Sequence, residues 1–153
     1  MSYNPLNIKK MIKGARSNDK SVRKEARHCI RNLLNEVFDD YRDFNCAKRR
    51  GAIPEEKENF IQMIDDAMEE LKSRVGVDFN IFYDAKMRQH TFVKMGLKYH
   101  MSSSEVNKKF HKMQIELLKI LANYELCLNE FGEFGDVVLH YPCATQNYKR
   151  EIF

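Results

Sequence analysis

Residues 102–128, SSSEVNKKFHKMQIELLKILANYELCL, decide the fold. Ser102 and Glu105 stand three apart just ahead of an apolar run. That is the spacing of a capping box, in which each side chain reaches the other's free backbone N–H. Val106, Phe110, Met113, Leu117, Leu121, Tyr124 and Leu128 then recur at helical intervals, and Ile115, Leu118, Ala122 and Leu126 broaden the stripe. Such a helix would run about 40 Å. A face this wide predicts the core helix of an all-α domain.

The preceding segments repeat the pattern. Pro5 opens a short candidate helix over 5–13 that Gly14 ends. Asp19 or Ser17 can cap the next, whose stripe is Val22, Ala26, Ile30, Leu33, Val37 and Tyr41, out to about Phe44. Residues 46–53 read as a connector. Pro54 with Glu55, Glu56 and Glu58 opens a third helix, the acids complementing its dipole. Its buried face is Phe60, Ile64, Ala67 or Met68, Leu71 and Val75, and Gly76 terminates it. Asp78 can cap a fourth helix from about Phe79 to Met95, apolar around much of its cylinder, although its N-terminal part could instead be a strand. After Gly132 and Gly135, Val137–Tyr141 is β-branched and aromatic, a strand-like run closed by Pro142. The expected architecture is a single-domain antiparallel helical bundle over 1–153, with about four long helices, a short N-terminal one and a C-terminal strand or hairpin within 132–153.

Bulk properties agree with one such domain. The chain has 153 residues, 43% hydrophobic and 31% charged, too few and too mixed for two independent cores. Only 6 Gly and 3 Pro exclude loop-dominated architecture. No apolar run approaches the roughly 20 residues of a membrane span. The first residues lack the basic start and apolar stretch of a signal peptide, so an intracellular, cytoplasmic, reducing setting is expected. Cys29, Cys46, Cys127 and Cys143 then read as free thiols.

Net charge is +4, unevenly placed. Residues 1–50 hold 13 Lys/Arg against 6 Asp/Glu, whereas residues 51–76 hold 3 against 7. Lys13, Arg16, Lys20, Arg23, Arg27 and Arg31 recur at spacings of three and four, with Lys24 beside them and Arg49 and Arg50 in the adjacent connector. From Lys20 onward these cations lie along one helix face, about 100° from the stripe that includes Val22, Ala26 and Ile30. A row of cations suits an acidic protein partner, or the phosphates of a nucleic acid contacted without regard to sequence. The competing reading is an ordinary solvated face. No aromatic interleaves the row, so stacking on single-stranded bases is not indicated.

Chemistry is sparsely encoded. His140 and Cys143 have ligand-compatible spacing but no second pair, so no metal or cofactor is expected. Arg23 and His28 form an Arg-x4-His pattern that resembles the short motif of HEPN-type ribonucleases. With this many Arg and His residues about one such match arises by chance, and it is not adopted. Asp65, Asp66, Glu69 and Glu70 form an acidic helix face that could receive the basic row, in cis or from another subunit. The function expected first is a non-enzymatic intracellular binding or regulatory protein acting through its basic helix face. Nucleic-acid binding is the alternative, and a small helical nuclease or metal enzyme the weaker one. The strand-like tail and broad apolar faces allow a homodimer.

Overall fold

The long basic segment begins where Asp19 Oδ1 accepts hydrogen bonds from the backbone N–H groups of Ser21 at 2.9 Å and Val22 at 3.3 Å. In a computed structural model of the chain the backbone is described for residues 5–123, 130–131 and 137–138, and side chains for 10–121. The fold is all-α: α1 (Pro5–Ala15), α2 (Lys20–Arg50), α3 (Glu55–Val75), α4 (Phe79–Lys86), α5 (Phe92–Tyr99) and α6 (Ser103–Asn123), with a 3-10 turn at Gly76–Asp78. None of these helices is long and apolar enough to cross a membrane. Glu130–Phe131 pairs antiparallel with Val137–Val138. The rest of the expected C-terminal strand or hairpin lies outside the described residues, as do Cys127, His140 and Cys143.

Helix α2 is longer than its apolar stripe. It continues beyond Phe44 through the expected connector to Arg50, a rod of about 46 Å. The extension packs little, but Lys48, Arg49 and Arg50 fill its last turn, where cations offset the carbonyl end of the helix dipole. The Gly51 N–H then donates to the Lys48 carbonyl at 3.4 Å. Helix α3 ends at Gly76, whose φ of 66° is a left-handed conformation that glycine takes without strain.

The expected fourth helix is two. Helix α4 stops at Lys86, and Thr91 Oγ1 accepts from the Lys94 N–H at 3.1 Å to start α5. The intervening turn is held by one residue. The Asp84 carbonyl accepts the His90 N–H at 3.0 Å. Its buried carboxylate accepts from Arg88 at 3.1 Å, from Lys98 at 2.9 Å and from the Tyr99 hydroxyl. Burial alone would raise the Asp84 carboxyl, but the Tyr99 and Lys98 hydrogen bonds and the Lys98 and Arg88 charges outweigh it and hold it below its usual 3.8.

Helix α6 is the centre of the core. Ser102 Oγ accepts the Glu105 N–H at 3.1 Å, and the helix packs against all five others. Leu34, Phe60, Ala67, Leu71, Phe82 and Met95 are fully buried around it, as are its own Val106 and Ile120. An aromatic chain runs through this core from Phe38 to Phe82 at 6.0 Å, on to Phe110 at 5.8 Å and to Phe92 at 5.3 Å.

Candidate functional site

Burial of Ile30, Leu33, Leu34, Val37 and Phe38 fixes the roll of α2 and turns its basic row outward. Lys20, Arg23, Lys24, Arg27 and Arg31 line one shallow groove of about 670 Å³, together with His28 and with His111 from α6. The cations span about 16 Å of helix. Glu25 is the one acid in the lining. Lys20, Lys24 and Arg31 are exposed, and Arg23 and Arg27 are half-buried. The groove is therefore a shallow, open depression along α2, bordered by His111 of α6.

Lys20, Arg23, Lys24, Arg27 and Arg31 form no ion pair among the described residues, whereas Arg74 is paired with both Glu70 and Glu116. Arg23 donates only to the Ser17 carbonyl, at 3.3 Å. Arg27 Nε is buried without a hydrogen-bond partner. His111 registers the concentrated field: burial first, then the charges of Arg27, Arg31 and Lys86, hold its imidazole below the usual 6.5. The acidic face of α3 does not quench the groove. Asp65 accepts from the Tyr41 hydroxyl, Asp66 from Gln62 at 2.9 Å, and Glu70 from Arg74 at 2.9 Å.

The remaining cations of the row sit elsewhere. Lys13 lies exposed on α1 beside the α1–α2 cleft. Arg16 lines a neighbouring depression that Arg23 and Arg27 also border. Arg49 and Arg50 are not in an adjacent connector: because α2 continues as a rod, they stand about 27 Å beyond Arg31 and cannot join the same patch.

The row continues inward past Arg31. A second cavity, of about 300 Å³, is lined by Arg31, Asn35, Asp39 and Arg42 of α2, by Lys86 and by Gln89 and His90 of the α4–α5 turn. Phe38, Phe92 and Phe110 supply its apolar wall. Arg42 pairs with Asp39 and donates to the Lys86 carbonyl at 2.7 Å, occupying one of the open acceptors at the end of α4. Lys86 is 6% exposed, and its Nζ donates to Asn35 Oδ1 at 2.9 Å and lies 5.3 Å from the Phe110 ring. Burial, then the Arg31 and Arg42 charges, push its ammonium down to about 8. Asp39 opposes them without reversing the shift. Lys86, Arg42 and His90 escaped the sequence reading, although Asn35, Asp39 and Arg42 continue the four-four-three rhythm of the basic row.

Comparison of the chain with protein-family models, curated proteins and solved structures finds no match. Among the described residues no three His, Cys, Asp or Glu side chains converge as a metal site requires.

Proposed function

We propose that this protein is a binding protein whose α2 groove takes an extended acidic segment of a partner protein. The observation that carries this reading is the set of five cations lining one recess with a single acid, none of them ion-paired among the described residues. Unpaired arginines offer planar forks that match carboxylates in two-point contact. A groove about 16 Å long accommodates about five residues of extended chain. One feature favours a peptide over a single strand: the lining holds no Phe, Tyr or Trp on which unpaired bases could stack.

The test is fluorescence anisotropy with a labelled Asp/Glu-rich peptide, a single-stranded oligonucleotide and a short duplex of equal charge. The expected result is peptide binding that weakens with salt and is lost in Lys20→Glu/Lys24→Glu, two exposed positions whose replacement leaves the core untouched. Tighter binding of either nucleic acid, with the same loss in the variant, would transfer the groove to the nucleic-acid reading. Binding of none of the three probes at low salt would leave an ordinary solvated face.

A further inference from the structure

The inner cavity is built differently from the groove, and its chemistry points to a different ligand. Its cations are Arg31, Arg42 and Lys86, and its acid is Asp39, already paired with Arg42. Two positive charges are thus left without a counter-charge among the described residues. One of them, Lys86, is nine-tenths buried and has only a neutral amide, Asn35, as hydrogen-bond partner. A buried ammonium facing two guanidinium groups is an arrangement a protein does not keep for stability, because each charge raises the cost of the next. Beside it, His90 Nδ1 is buried without any partner. The turn that carries His90 includes a left-handed Gln89, at φ 55°.

We infer that this cavity binds a phosphoryl group, as a phosphomonoester or as free phosphate, with its oxygens held by Arg31, Lys86 and Arg42. A phosphomonoester carries close to two negative charges near neutral pH, equal to the uncompensated charge here. A carboxylate would leave one cation unmatched. The cavity, at about 300 Å³, is at the small end of ligand sites, which suits a phosphorylated side chain or a small metabolite and excludes a nucleic-acid strand. The inference does not rest on the acidic-peptide reading of the groove, since Lys20 and Lys24 do not line the cavity.

Calorimetric titration at fixed ionic strength tests it, with O-phosphoserine, inorganic phosphate and acetate as probes. Both phosphates are expected to saturate one site, and acetate is not expected to compete with them. Removing one charge-assisted contact, in Arg31→Gln or Lys86→Gln, is expected to weaken binding about tenfold to a hundredfold. Lys20→Glu/Lys24→Glu is expected to leave it within about threefold. Arg31 is exposed, so its variant keeps the test decisive even where Lys86→Gln folds poorly. Tighter binding of O-phosphoserine than of phosphate assigns the site to a phosphomonoester, and equal binding assigns it to free phosphate; either result supports a phosphoryl site. No saturation below about 10 mM, equal competition by acetate, or unchanged binding in Arg31→Gln would overturn it.

Discussion

Replacing Lys86 by methionine should make this protein more stable, and the size of the gain follows from its surroundings. The side chain is buried against Phe110, and an unbranched thioether of similar length fills the same space. What disappears is the ammonium, whose pKa is pushed down from 10.5 to about 8. That gap corresponds to about 3 kcal/mol by which folding disfavours the charged form. Asn35 is exposed, so the hydrogen bond it loses is replaced by water and costs less than about 1 kcal/mol. Lys86→Met is therefore expected to gain about 2–3 kcal/mol at pH 7, a rise in Tm of about 4–12 °C for a chain of this size. The sign of the pH dependence is fixed. Folding lowers this pKa, so wild-type stability is at its lowest below pH 8 and recovers as pH rises through 8 toward 10.5. The advantage of the variant should shrink by about 2.5 kcal/mol, to near zero, by pH 10. Urea unfolding of both proteins at pH 7 to 10, followed by far-ultraviolet circular dichroism, measures this directly, with equal m-values as the control. A variant less stable than wild type at pH 7, or a gain that does not change with pH, would refute the account of Lys86 as an uncompensated buried charge.

Other positions carry separate expectations. Asp84→Asn removes the charge that ties Arg88, Lys98 and Tyr99 across the α4–α5 turn, and should cost about 1–3 kcal/mol in urea unfolding. Because the Asp84 carboxyl is held low in the folded state, the wild-type advantage over Asp84→Asn should disappear as pH falls below 3.8. Gly96→Ala places a methyl group 2.6 Å from the Met101 carbonyl oxygen, where backbone must move, and should destabilise by about 1–3 kcal/mol, read as a lower urea midpoint. His111→Gln should lessen the stability that wild type loses as pH falls below 6.5, since folding depresses the His111 pKa and protonation then opposes the native state. Phe82→Ala, which breaks the aromatic chain between Phe38 and Phe110, should cost about 3–5 kcal/mol by the same unfolding measurement.

Much of the fold was legible because its signals are local. Asp19, Gly76 and Ser102 each act on backbone groups within three or four residues, so their chemistry is written beside the helix end it controls. Apolar spacing identified α6 as the core helix for the same reason. The failures have a different origin. Residues 46–50 offer only the small Cys46 and Ala47 as apolar side chains, so no stripe advertises that α2 continues through them, and only the three cations in its last turn suit a helix end. The break after Lys86 depends on Asp84 meeting Lys98 and Tyr99, which lie 14 and 15 residues away along the chain. Periodicity is blind to such a contact. The groove was readable as far as one helix could carry it, from Lys20 to Arg31. The cavity was not, because Lys86 and His90 join Arg31 and Arg42 only after the α4–α5 turn has formed.

Arg31 belongs to both concavities, and its single guanidinium cannot face two anions at full strength. An anion seated in one hollow lowers the electrostatic potential felt in the other. By thermodynamic reciprocity the penalty is equal whichever arrives first. If both readings hold, the shared side chain would make the two recesses antagonists, with occupancy of the inner one setting how firmly the outer one can grip.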